Sequence, residues 1–97
     1  MRHIEFDIID DEVEAGIRQV VAGGRCISGP IFVDDVFTAV GVAGGAQPTR
    51  LRVVEIRAYG QLLNQLDAVV TAQLLLIGEG GGCCSARCTL YGDVSAD

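Results

Sequence analysis

Lysine and tryptophan do not occur in this chain, and histidine and methionine occur once each. Each absence closes a class of function. Without lysine there is no Gly-x-x-x-x-Gly-Lys-Ser/Thr phosphate loop, so nucleotide hydrolysis of that kind by this chain is excluded. The seven basic residues are all arginines, set against thirteen acids for a formal net charge of −6. Nucleic-acid binding draws much of its affinity from cations that neutralise phosphates. Scattered arginines in an acidic chain supply no such field, so nucleic acid is a disfavoured partner. Long apolar runs are missing as well. The longest, Leu66 to Ile77, is interrupted by Asp67, Thr71 and Gln73, and it falls short of the roughly 20 apolar residues of a membrane-spanning helix. Acids also stand among the first residues, Met1-Arg2-His3-Ile4-Glu5-Phe6-Asp7, where a secretory leader would be apolar. The expected localisation is therefore cytoplasmic, with no membrane partner.

What remains is apolar and short. Hydrophobic residues make up 49% of the 97 positions, which excludes disorder, and the length suits one domain spanning residues 1–97. Ile4, Phe6 and Ile8 alternate with polar residues, as on a half-buried strand. Arg18 to Ala22 is weakly strand-like and ends at Gly23-Gly24. Arg25 to Ile31 reads as a further strand in which Gly29 marks a bulge or a close backbone approach and Pro30, lacking an N–H, an edge or bend. Asp34-Asp35 is turn chemistry, and Val36 to Val42 is the next strand. Gly41 to Pro48 reads as a flexible glycine-rich excursion. From Leu51 to Tyr59 strict alternation sets Leu51, Val53, Glu55, Arg57 and Tyr59 on one face, and Arg52, Val54, Ile56 and Ala58 on the other. Leu62, Leu63 and Leu66 suggest a helical turn or irregular connection. Val69 to Ile77 is the most apolar strand, Gly78 to Gly82 a loop, and Cys84 to Tyr91 a last strand. Five to seven short strands with turns every 8 to 12 residues predict an all-β fold: a small antiparallel barrel of about six strands, closed or partly open.

Two segments carry a family resemblance. In the first, Gly24 to Val40, a strand leads to Ser28-Gly29, an apolar step, the Asp34-Asp35 turn and another strand. In the second, Leu51, Ile56, Tyr59, Leu63 and Leu66 lead through Asp67-Ala68 to the apolar strand Thr71 to Gly78. This order resembles domain 2 of the translational GTPases, the β-barrel of elongation factor Tu and its relatives, over half to two thirds of the chain. Asp34-Asp35 stands where that family has Gly-Asp, and Ala68-Val69 where it has Ala-Gly. The resemblance implies a stand-alone barrel of that architecture. It also implies a role as a translation-associated accessory factor, since in the family the barrel helps engage tRNA or ribosomal RNA. Architecture does not carry function with it.

Few side chains are arranged for chemistry. His3 shares a strand face with Glu5, and both read as exposed strand residues rather than as a base and its orienting acid. Asp10, Asp11, Glu12 and Glu14 lack the glycine and distal glutamate of a calcium loop and read as a solvated face. Cys83, Cys84 and Cys88 resemble a metal knuckle without its second ligand pair, since Cys26 is isolated. Cys26 and part of that cluster read as small core residues. The serines Ser28, Ser85 and Ser95 lack a nucleophile elbow. No catalytic, cofactor or metal-binding residue is assigned. The place to look for a ligand or partner contact is Arg50, Arg52 and Arg57, where Arg50 and Arg52 share a strand face and suit an anion or carboxylate.

Three functions follow, in order. The first is a non-catalytic protein-binding or self-associating barrel, a homodimer being the commonest closed arrangement, because a small apolar chain leaves apolar surface to cover. The second is a small-ligand-binding barrel or small enzyme, and the third the translation-associated factor.

Overall fold

Every regular element of the computed structural model, which describes residues 2–9, 14–15, 18–42, 45–80 and 87–94, is a strand. In chain order these are β1 (Arg2–Ile8), β2 (Glu14–Ala15), β3 (Gln19–Ser28), β4 (Ile31–Phe32), β5 (Val36–Val42), β6 (Gly45–Ala58), β7 (Gln61–Leu63), β8 (Gln65–Leu66), β9 (Thr71–Glu79) and β10 (Thr89–Val94). Six of them form a closed antiparallel barrel in the order β1-β10-β5-β6-β9-β3, with β3 pairing back onto β1. β2 continues the line of β1 along the edge of β3, and β7 folds back on β6. β4 and β8 form a separate two-stranded ladder, Ile31 opposite Leu66, and both side chains are fully buried. Closure removes the unpaired edges that an open sheet would present to other chains. Among the described residues no helix is long and apolar enough to cross a membrane.

The barrel interior is filled by the inward-facing residue of each pleat. Ile4, Phe6 and Ile8 of β1, Phe37 and Val40 of β5, and Leu74 and Leu76 of β9 join one core cluster with the residues of β3 and β6. Cys26 and Cys88 are buried members of that cluster, as small core residues. Cys83 and Cys84 lie outside the described residues, as do Asp10, Asp11 and Glu12 and the glycines at 81 and 82.

Several local expectations are corrected. Gly23-Gly24 does not end a strand: β3 runs through it for ten residues. Here β1 crosses so closely that a Cβ on Gly24 would stand 1.8 Å from the carbonyl oxygen of Asp7. The glycine therefore permits barrel closure. The strand expected over Arg25 to Ile31 stops at Ser28, after which the Gly29-Pro30 peptide bond is cis and Ile31 starts β4. Within the expected excursion from Gly41 to Pro48, Gly45 to Pro48 are strand residues paired with β5, while residues 43 and 44 lie outside the described set. Leu62, Leu63 and Leu66 belong to β7 and β8 rather than to a helical turn. The last strand begins at Thr89.

The largest correction concerns β6. Leu51 and Val53 are buried, but so are Ile56 and Ala58, and Arg57 and Tyr59 are exposed. A register shift between Val53 and Glu55 opposite β9 inserts one residue and exchanges the two faces. Strict alternation from Leu51 to Tyr59 therefore fails halfway along.

Asp34-Asp35 does form a turn. Asp35 N–H donates to the Phe32 carbonyl at 3.1 Å, and Asp34 has φ 79°, which aspartate tolerates better than most residues. Asp35 itself is buried. Its carboxylate accepts two bonds from the Arg2 guanidinium, at 2.8 and 2.9 Å, and a third from Phe32 N–H at 2.8 Å. Arg2 also donates to the Pro30 carbonyl and lies 4.6 Å over the Phe32 ring. This clamp ties the start of β1 to the β4–β5 turn.

Two other turns are less comfortable. Tyr59 (φ 54°) and Gly60 (φ 73°) make the two-residue loop joining β6 to β7, with the φ signs of a type I′ turn that favours Asn-Gly. Val69 has φ 66° in the turn closed by Val70 N–H donating to the Asp67 carbonyl. That position in a type II turn asks for glycine, and left-handed backbone costs an L-residue about 1–2 kcal/mol.

Candidate functional site

Arg52 stands in one continuous row of the outer surface: Gln19 on β3 faces Ile77 on β9, Ile77 faces Arg52 on β6, and Arg52 faces Val36 on β5. Arg50, two residues earlier on the same outward face, is opposite Glu79. Arg18 reaches the same place because its carbonyl accepts from Gly78 N–H at 2.9 Å, just before β3 begins. Together Arg18, Arg50, Arg52, Val36, Ile77, Gly78 and Glu79 line a solvent-open cleft of about 420 Å³. Its floor depends on Gly78, whose φ of 152° and close approach to Arg50 (a Cβ would lie 1.8 Å from the Arg50 carbonyl oxygen) exclude a side chain.

The charges in this cleft are unevenly partnered. Arg52 donates to Asp34 at 2.9 Å, an ion pair with both side chains half or more exposed and hence weak. Arg18 and Arg50 form no ion pair among the described residues. Two guanidiniums without an ion pair among the described residues and one loosely tied one thus share the cleft with Glu79 and with the apolar Val36 and Ile77. Planar guanidinium forks suit carboxylates in bidentate contact.

The structure unites Arg50 and Arg52, as their spacing predicts, and separates Arg57. The β6 bulge keeps Arg57 on the outer face, but further along the strand, where it lines a smaller groove with Gln19, Val21, Glu55, Gln73 and Leu75. There Arg57 lies 3.7 Å from Glu55. Arg18 is the member that sequence reading missed. No periodicity marks it, and its place depends on the long-range pairing of β3 with β9.

A second titratable group lies across the barrel on β1 and β10. His3 sits between two carboxylates, Nδ1 2.9 Å from Asp93 and Nε2 2.7 Å from Glu5. With both ring nitrogens facing acceptors, the charged imidazolium is favoured, and the contacts to Asp93 and then Glu5 raise its pKa above the ordinary 6.5. The side chain is exposed. Asp7, on the same face, accepts from the Thr89 hydroxyl at 2.6 Å. Among the described residues no cluster of three or more His, Cys, Asp and Glu side chains is arranged to hold a metal ion. In the core, burial and then the neighbouring Asp67 charge push the Cys26 thiol up to about 11, so at neutral pH it is a protonated packing group rather than a nucleophile.

Compared with known proteins, the chain matches no family model and no curated protein.

Proposed function

We propose that this protein is a non-catalytic binding module whose arginine cleft receives carboxylates presented by a protein partner. The observation that carries the reading is the convergence of Arg18, Arg50 and Arg52 on one open groove, two of them without an acidic partner among the described residues. This stands out in a chain with thirteen acids and seven bases. Elsewhere the described arginines are spread singly or tied to an acid, as Arg2 is to the buried Asp35 and Arg57 to Glu55.

The shape favours a protein segment over a small molecule. Ligand pockets enclose most of a small ligand's surface, whereas this cleft is open to solvent and is joined at Arg50 and Glu79 by a second one lined by Pro48, Thr49 and Gly80. Val36 and Ile77 supply apolar walls beside the cations, a combination suited to an acidic side chain flanked by an aliphatic one. The net charge of −6 and the lack of lysine weigh against a phosphate backbone as the occupant.

The test is an NMR titration of isotopically labelled protein with a short glutamate-rich peptide. Amide shifts are expected at Arg18, Arg50, Arg52 and Ile77, weakening as salt is raised. The double substitution Arg50→Gln, Arg52→Gln should remove them without changing the rest of the spectrum. Shifts confined to other faces, or none at millimolar peptide, would refute the reading.

A further inference from the structure

Of the six large hydrophobic side chains exposed among the described residues, four belong to one rim of the barrel: Ile27 (42% exposed), Tyr59 (85%), Leu62 (63%) and Val69 (77%). Their common location follows from the pairing. Leu62 is opposite Arg57, and Tyr59 begins the turn between them. Arg57 faces Gln73 on β9, so Tyr59 comes level with Thr71, the residue at which β9 starts. Thr71 in turn faces Arg25 on β3. Val69, two residues before Thr71, donates its N–H to the Cys26 carbonyl at 2.7 Å, beside Ile27.

Two of the four occupy backbone positions that suit other residues. Tyr59 fills the first central place of a turn with the φ signs that favour Asn-Gly, and Val69 fills a left-handed place that favours glycine. A β-branched residue at positive φ is a genuine outlier. Stability alone would place a small residue at each. Instead, two turns at the same rim hold out large apolar side chains at positions where they weaken the fold. Strain kept in this way points to a use for the side chains presented.

We propose that this rim is a self-association surface and that its occupant is the same rim of a second copy of this chain. The surroundings select that occupant. The residues interleaved with the four are Gln61, Asn64, Gln65, Ala68 and Thr71, which are neutral, with Asp67 the acid and Arg25 and Arg57 the bases beside them. In a chain of net charge −6, a rim that carries both signs of charge and no surplus of acids is where two copies approach with least repulsion. The same net charge opposes docking on an anionic lipid surface. An isologous contact between like rims closes as a two-fold dimer. A standard interface takes about 800 Å² from each partner, roughly one seventh of the 5624 Å² accessible surface. This surface is separate from the arginine cleft and does not depend on the reading of the cleft.

Sedimentation equilibrium from low micromolar to near-millimolar concentration tests the proposal, with three variants. The unaltered chain should pass from the mass of one chain to that of two. The double variant Tyr59→Asn, Val69→Gly should stay at the mass of one chain throughout, while its melting temperature in dilute solution rises, because both substitutions give the turns the residues they favour. Leu62→Gln should weaken association at least tenfold with its turn unchanged. Arg50→Gln, in the cleft, should associate like the unaltered chain. The proposal is overturned if the unaltered chain remains one copy at the highest concentration, or if the double variant still doubles in mass. It is also overturned if Arg50→Gln abolishes association, which would assign the contact to the cleft, or if the unaltered chain binds neutral phosphatidylcholine vesicles in place of itself.

Discussion

Replacing Asp35 with alanine removes, in one step, the acceptor for three hydrogen bonds: two from Arg2 and one from the backbone N–H of Phe32. Losing one partner from a fully buried ion pair costs about 3–5 kcal/mol, and a donor left without its acceptor costs about 1–3 kcal/mol. The upper end does not apply. The Arg2 side chain keeps 28% of its exposure against 7% for Asp35, and it retains the Pro30 carbonyl and the face of the Phe32 ring. Water and these two contacts hold the orphaned guanidinium, so the expected loss for Asp35→Ala is about 2–3 kcal/mol. At about 4–8 °C per kcal/mol for a domain of this size, the melting temperature should fall by roughly 10–20 °C. Arg2→Ala leaves a buried carboxylate with one remaining donor and should cost a similar amount. Urea unfolding followed by far-ultraviolet circular dichroism, on both single variants and the double, closes a thermodynamic cycle. A coupling of about 1.5–2 kcal/mol is expected for a half-sheltered bidentate pair. A coupling below about 0.5 kcal/mol, the level of an exposed ion pair, would refute the view that this clamp fastens β1 to the β4–β5 turn.

Two titrations give further checks. The His3 imidazole, followed by NMR, should titrate above 6.5, and Asp93→Asn should bring it back towards that value more strongly than Glu5→Gln, following the order of the two contacts. Because its folded pKa is raised, whatever stability it contributes is fully present below the unfolded pKa and is lost as pH rises through the folded value. A midpoint at or below 6.5 would contradict the geometry. Cys26, with its thiol pushed up to about 11 from 9.0, should favour the folded state at neutral pH and withdraw that contribution as pH climbs from 9.0 towards 11. Alkylation mapped by mass spectrometry should leave Cys26 unmodified in the folded protein at pH 8 and label it once the chain is unfolded. Prompt labelling of the native protein would show that the thiol is not sheltered in the barrel core.

How much of this was legible in advance depends on the range of the interaction concerned. The alternation of Ile4, Phe6 and Ile8 and the apolar run ending at Ile77 announce strands, because burying every second side chain is a local rule of the pleated backbone. Short strands without intervening helical patterns imply an antiparallel barrel of about six strands, and closure of β3 onto β1 completes it. Asp34-Asp35 was readable as a turn because aspartate satisfies nearby backbone groups. The two-residue spacing of Arg50 and Arg52 set them on one face by the same pleat.

Other features were decided by partners distant along the chain. Gly23-Gly24 looks like punctuation, yet it lies within β3 because β1 needs that space to close the barrel. The faces of β6 exchange at Glu55 because its pairing with β9 slips by one residue there, and a run of residues carries no mark of a slip in another strand's register. Arg57 left the expected arginine group and Arg18 joined it for the same kind of reason. Asp35 gave no sign that Arg2, more than thirty residues away, would make it a buried anchor. The residues alone determined which segments extend and which side of each pleat seeks the interior, since those preferences act between near neighbours. The tertiary structure alone decided which arginines share a groove and which strained turns share a rim, since those placements arise only when strands distant in sequence are brought into register.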